Sequence, residues 1–518
     1  MRNKLNWRNI LPILMILLAI AARLIPGART IDDSFITFRY ARNILEGHGF
    51  VYNPGAQVLG TTTPLYTFCM VLLGAVSGGA QAPFPQLALG LNALADAFTC
   101  LLLWQIGKRL ANERVGLAAG FTWALAPHSV TFAIGGLETS LYVLLLTAAA
   151  TFYMLEKRAG AALCASLAFT TRPDALILIG PFVIDRLVRA FHPRLKEKLG
   201  WQEVLALVLP TALWSGFAWF YFGSPVPQSV QAKLLVYHLN PADSFIRLIQ
   251  HYATPFQLHQ ILPAGIAIAI GIILYPFLYI IGARHIWKTE KRLLVWVLYP
   301  WLYLAVFALS NPLIFRWYLT PPLPAYFFVL LFGLDHVASA IAARKPAAQK
   351  WLPALLLTLS VFVPLSAWTL RPDHGPSRPA PVMAYIELEE LYHRAARLVR
   401  PELQPGDVIA AGDVGVLGYD TGAHILDTVG LNSPESLAYY PIPLEQYVIN
   451  YAIPTALILE EAPDWIIVQE IYGRNTFLSN PAFNEIYTQF AVLPNEIYGS
   501  QGMVIYQHNF RPVLANPQ

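Results

Sequence analysis

The chain has 518 residues, of which 56% are hydrophobic and 13% charged, with a net charge of +4 and a mean hydropathy of +0.48. A soluble globular domain carries roughly 25% charged residues, so a wholly soluble protein is excluded and a polytopic membrane protein is indicated. The basic residues fall in short loops between apolar runs, which is a positive-inside pattern and not a nucleic-acid footprint.

The N-terminal stretch carries Arg2, Lys4 and Arg8 ahead of an apolar run at 10–25. Ala19-Ile20-Ala21 resembles a cleavage site, but the many apolar runs that follow favour a retained first helix with a cytoplasmic N-terminus. A span needs roughly 20 apolar residues. Twelve apolar segments stand near 10–26, 62–78, 86–107, 115–131, 138–155, 160–172, 174–189, 203–222, 261–283, 293–309, 314–334 and 351–369. If all twelve crossed, the basic loops 108–114, 156–158, 186–198, 284–292 and 344–350 would face outside, against the positive-inside rule. If 62–78 makes no net crossing, every one of them turns inward. The expectation is therefore about 11 crossings plus a juxtamembrane or re-entrant 62–78, where Pro64, Gly74, Gly78 and Gly79 suit an interrupted helix. Loops 27–61, 132–137, 223–260 and 310–313 and the tail then share the outer face.

The expected division is a membrane domain at 1–370, with its first outer loop at 27–61, and an extracytoplasmic α/β domain at 371–518. The tail opens with a Pro-rich stretch at 371–381. Beyond it, 383–399, 443–461 and 480–490 read as helices. The runs 407–411, 414–419, 464–469 and 503–507 read as strands. No GxGxxG, P-loop or zinc spacing occurs. Cys69, Cys100 and Cys164 lie in apolar stretches and offer neither disulfide nor metal spacing.

The residues that carry chemistry gather on the outer loops. Asp32 and Asp33 follow the first apolar run directly, and paired carboxylates at a bilayer edge must be solvated, paired or used. Over the following helix, Ile31, Phe35, Phe38, Ala41 and Leu45 form an apolar stripe, with Asp32, Arg39, Asn43 and Glu46 opposite and Asp33 near Tyr40. That helix is expected to lie on the membrane with its polar face toward water or substrate. One Asp could instead cap a helix start; a carboxylate here could also serve as general base toward a hydroxyl. His48 sits in a turn-rich loop at 47–55. Glu138 stands at the outer mouth of a span, and Arg172-Pro173-Asp174 separates two short apolar segments. Lys233 and Arg316, the latter beside Tyr318, are outer-side cations suited to a lipid phosphate or, more simply, to interfacial anchoring.

Taken in order, Asp32-Asp33-Ser34-Phe35-Ile36-Thr37-Phe38-Arg39-Tyr40-Ala41-Arg42-Asn43, Glu46-Gly47-His48-Gly49, Tyr52-Asn53-Pro54-Gly55, Gly136-Leu137-Glu138-Thr139, Thr171-Arg172-Pro173-Asp174, Gln231-Ala232-Lys233 and Arg316-Trp317-Tyr318 resemble the GT-C superfamily of membrane glycosyltransferases. Within it they are similar to the mycobacterial terminal arabinofuranosyltransferase family. Leu59, Asp174-Ala175 and Gln228 depart from the family pattern, where an acid, Glu-Gly and Asn are expected. The runs 412–415, 418–422 and 426–431 look like a domain appended to bacterial GT-C proteins.

The resemblance implies a multi-pass protein of the inner (plasma) membrane. It implies sugar transfer from a polyprenyl-phosphate donor to a cell-envelope glycan or glycolipid acceptor on the outer face, with membrane lipid as a further partner and no nucleic acid. Asp32 or Asp33 would be the catalytic base. Arg39, Tyr40, His48, Glu138, Arg172, Asp174, Lys233, Arg316 and Tyr318 would bind substrate. No cofactor is called for; a divalent metal would suit such chemistry, but no ligand cluster is visible. A lipid-linked sugar flippase or a non-catalytic envelope-glycan scaffold are the alternatives. Polar motifs on one face, without paired halves, favour the transferase.

Overall fold

The apolar runs become helices, and five of them are long and apolar enough to cross a bilayer: Phe84–Arg109, Trp201–Phe222, Ala264–Thr289, Lys291–Ser310 and Arg316–Ala343. A sixth arises if Glu113–Leu125 and Pro127–Ile134, bent by 48°, count as one broken span. Shorter apolar helices occupy Ile10–Leu24, Pro64–Val76, Thr139–Met154 and Leu352–Ala367. In this computed structural model the described residues are 7–193, 195, 197–344, 351–370 and 378–510. The N-terminal basic residues Arg2 and Lys4, most of the loop 344–350 and much of the Pro-rich stretch lie outside them. Pro64–Val76 has 13 residues, about 20 Å of helix, against a hydrocarbon core of about 30 Å.

The described residues form two units. The first comprises Met1–Arg29, Pro85–Trp214 and Pro241–Tyr385; the second comprises Thr30–Phe84, Ser215–Asn240 and Ile386–Gln518. This division differs from a cut at 370, because the first outer loop and part of a later one belong with the tail.

In the first unit, helices approach closely at glycines. Gly282 and Gly333 each face the backbone of the other's helix at distances that no Cβ would tolerate, the close approach small residues allow between membrane helices. A buried ion pair ties the bundle together. Arg23 Nε lies 3.0 Å from Asp96 Oδ2, and Trp123 Nε1 and Ser140 Oγ donate to the same carboxylate. Two short strands, β1 (Trp368–Thr369) and β2 (Ala380–Pro381), pair antiparallel.

The second unit is built on a five-stranded sheet. Its strands are β3 (Val408–Ala411), β4 (His424–Asp427), β5 (Trp465–Gln469), β6 (Tyr487–Leu493) and β7 (Met503–His508), in the order β4-β3-β5-β7-β6. β4, β3 and β5 run parallel; β7 is antiparallel to both β5 and β6. All five residues of the central β5 are buried, as a strand covered on both faces requires. The expected strand at 414–419 is instead the helix Gly415–Thr421. The expected helix at 480–490 stops at Ile486 and gives way to β6. Of 443–461, only Thr455–Glu461 forms an α-helix.

Candidate active site

The first-loop helix runs Asp32–Leu45, with both acids in its first turn. Its polar face is not turned to water: Asp32, Arg39 and Asn43 are buried along with Phe35 and Phe38. The tail covers them. Asp32 does not cap its own helix. Gly415 N donates to Asp32 Oδ2 at 2.8 Å and Val416 N to Oδ1 at 2.7 Å, so Asp32 caps the tail helix Gly415–Thr421, which has no cap of its own. Two glycines permit this: a Cβ on Gly415 would meet the Asp32 carbonyl, and one on Gly418 would meet Tyr52 and Arg39.

Burial, reinforced by the charges of Asp413 and Asp33, holds the Asp32 carboxyl well above its usual range, against the pull of the two backbone N–H bonds. The half-buried Asp413 carboxyl is likewise raised by desolvation, while Tyr392 Oη donates to it at 2.6 Å. Asp33 is half-buried. Asp32 and Asp413 interact closely enough to titrate together. Among the described residues, no group of three His, Cys, Asp or Glu is placed to hold a metal ion.

Arg39 and Tyr40 bind the chain's own backbone. Arg39 donates to the carbonyls of Tyr52 and Ala423 at 2.8 and 2.7 Å and stacks 4.3 Å over the Tyr52 ring. The Tyr40 hydroxyl donates to Val58 O and accepts from Gly60 N. His48 is exposed, its Nδ1 3.6 Å from Glu46 Oε2. Lys233 lies half-buried on the helix Gln228–Val236, whose Val236 joins the tail's hydrophobic core.

In the first unit, four of the expected residues meet. Arg172 makes a two-point contact with Asp174, Nε to Oδ1 at 2.9 Å and Nη2 to Oδ2 at 3.1 Å, and its Nη1 lies 3.3 Å from Glu138 Oε1. Its guanidinium stacks against the rings of Tyr318 and Tyr142, and Tyr303 Oη donates to Asp174 at 3.3 Å. One cation between two carboxylates leaves the cluster net negative. Arg316 donates to the Met383 carbonyl at 3.2 Å.

Superposition on solved structures decides the architecture. The chain matches ArnT from Cupriavidus metallidurans, solved bound to undecaprenyl phosphate, over 99% of both chains with a TM-score of 0.57 at 12% identity. This is the GT-C fold. A second GT-C neighbour is the apo oligosaccharyltransferase of Archaeoglobus fulgidus, with a TM-score of 0.56 at 11% identity over 99% of this chain and 76% of that one.

Sequence likeness points the same way. The terminal β-(1→2)-arabinofuranosyltransferase of Corynebacterium glutamicum is 27% identical over 293 residues, covering 51% of this chain and 39% of that protein. Its namesake from Mycobacterium tuberculosis is 29% identical over 155 residues, or 29% and 23% of the two chains. The chain thus spans less than two fifths of either relative. Fold and sequence together support a membrane glycosyltransferase. Residues 384–506 match a family described as a domain of unknown function, DUF8728. Sequence reading passed over Asp413, which only the burial of Asp32 beside it makes conspicuous.

Proposed function

We propose that this chain transfers a sugar from a polyprenyl-phosphate donor to a cell-envelope glycan or glycolipid on the outer face of the inner membrane, with Asp33 as general base. The observation that carries the choice of base is the contrast between the paired acids. Asp32 has both oxygens committed to backbone N–H groups and is 5% exposed, whereas Asp33 keeps solvent access.

Asp33 takes the proton of the acceptor hydroxyl as that oxygen attacks the anomeric carbon. The bond from sugar to lipid phosphate breaks through an oxocarbenium-like transition state. Lys233 and Arg316 are the cations suited to the leaving phosphate. Arg172 is not, since Glu138 and Asp174 already neutralise it. The Glu138–Arg172–Asp174 cluster with Tyr318 offers acceptors and donors in fixed positions, which suits sugar hydroxyls. Each role rests on the group's own surroundings. About 11 crossings and a cytoplasmic N-terminus accord with this reading.

The test is transfer of radiolabelled sugar from a panel of polyprenyl-phosphate donors by the purified wild type, Asp33→Asn and Asp32→Asn, each checked for folding. Transfer by the wild type and its loss in Asp33→Asn support the assignment; undiminished transfer in Asp33→Asn sinks it.

A further inference from the structure

The helix Gln228–Val236 belongs to the second unit and has two apolar faces. On one, Ser229, Ala232 and Val236 are buried, and Val236 joins the tail's hydrophobic core. The other is exposed. Val226 just ahead of the helix, then Val230 and Leu234 within it, are spaced four apart and so form one stripe. They are 59%, 42% and 71% exposed.

This helix follows closely on Trp201–Phe222, one of the helices long and apolar enough to cross a bilayer. That span ends in Trp219 and Phe220, both exposed, the kind of residue enriched where a span meets the head groups. Only residues 223–227 separate the two helices, a reach of at most about 20 Å. The stripe is therefore held near the membrane surface.

A second apolar feature is tied to the same place. Val448 and Tyr451 pair as an antiparallel bridge, so Ile449 and Asn450 form a two-residue turn. The Asn450 carbonyl accepts from His238 N at 3.0 Å, and the Tyr447 ring lies 5.7 Å from that of His238, two positions past the helix. Ile449 stands at φ +62°. Glycine, asparagine or aspartate commonly fills such a position in tight hairpin turns, and a β-branched residue there is an outlier. The side chain it presents is 67% exposed. Backbone strain of this kind clusters at functional positions, and its effect here is to hold a bare isoleucine at the tip of a turn.

Exposed apolar groups gathered on one surface mark a contact site, and continuity with the span identifies the partner. We propose that the helix Gln228–Val236 lies in the bilayer interface with Val230 and Leu234 among the lipid chains, and that the turn at 448–451 inserts Ile449 beside it. The tail thus touches lipid itself instead of standing clear of the membrane. The occupant of this surface is the bilayer, and the assignment does not depend on sugar transfer.

The experiment is photo-crosslinking of the full chain in nanodiscs of phosphatidylethanolamine and phosphatidylglycerol. A diazirine-bearing leucine analogue replaces Leu234, Ile449 or Gln489 in turn. Gln489, exposed on the edge strand β6, is the comparison. The analogue is close in size to leucine and isoleucine, and gel filtration confirms folding before illumination. Mass spectrometry then reads what each probe has joined. Lipid adducts are expected at 234 and at 449, about tenfold or more above those at 489, since burying one aliphatic side chain favours the lipid-facing state by at least that factor. A probe at either 234 or 449 that joins water, the same chain or a second copy, or that joins lipid no more than 489 does, overturns the proposal. Lipid adducts on a protein that transfers no sugar would leave it standing and remove the transferase reading alone.

Discussion

Adjacent acids can differ entirely in what they do. Asp32 and Asp33 share one helical turn, yet Asp32 is a cap for a helix far away in the chain. Asparagine at 32 keeps one acceptor oxygen and turns an amide N–H₂ toward a backbone N–H. Asp32→Asn is therefore expected to destabilise the second unit by about 1–2 kcal/mol, the usual scale of a lost N-cap. Limited proteolysis of the tail at rising temperature would show this as a lowered threshold. Asp33→Asn should leave that threshold unmoved while reducing transfer by about 10²- to 10⁴-fold, the range of a lost general base. Arg172 makes a third case. Arg172→Met strands Glu138 and Asp174 without their cation, and breaking such a buried cluster costs about 3–5 kcal/mol. Loss of folded protein on gel filtration is the readout, and Arg172→Lys, which cannot make the two-point contact, should fall between.

The element that organises the second unit is the seven-residue helix Gly415–Thr421. Its two glycines are contact surfaces rather than flexible points. Gly415→Ala drives a methyl into the Asp32 carbonyl and Gly418→Ala drives one into Tyr52 and Arg39. Overpacking of this kind costs about 1–3 kcal/mol, and both variants should lower the proteolysis threshold as Asp32→Asn does. This element was also the least legible in sequence. Val414 and Val416 alternate with Gly415 as in a strand, and nothing local announces a helix whose cap is contributed by Asp32. β4, His424–Asp427, begins and ends on polar residues with one β-branched residue between, and β6 was hidden by a helical pattern that ends at Ile486. By contrast, β3, β5 and β7 were legible because each is a dense β-branched or aromatic run. The first-loop helix was legible for its 3.6-residue stripe, but its polar face, read as turned to water or substrate, is largely covered by the tail. Periodicity reports that a face is polar, not what covers it.

At the scale of the molecule, composition announced the membrane helices, and outer-loop motifs announced the residues of the Arg172 cluster. Sites made by distant residues stayed silent. Arg23 and Asp96 lie 73 positions apart in separate apolar runs, and His128 and His251, whose ring centroids lie 4.7 Å apart, carry no shared spacing. His251 has a measurable consequence. Burial pushes its imidazole down to about 4 from the ordinary 6.5. Between those values the unfolded chain binds the proton and the folded one does not. Stability contributed by neutral His251 is thus whole above about pH 6.5 and lost as pH falls toward 4, by about 3 kcal/mol in all. Thermal melts of the protein should show this decline, and His251→Gln should flatten it. The cap on Gly415–Thr421 also carries a consequence for how the protein is made. Asp32 and its partner Val416 are 384 positions apart. At roughly 5–20 residues per second of synthesis, the first outer loop waits about 20–80 seconds for the segment that completes it. Throughout that interval Asp32 stands without the backbone N–H groups it later binds. A ribosome that stalls before the tail therefore leaves behind a first-loop helix whose buried face has nothing to cover it, and it should be cut more readily by proteases than the finished chain.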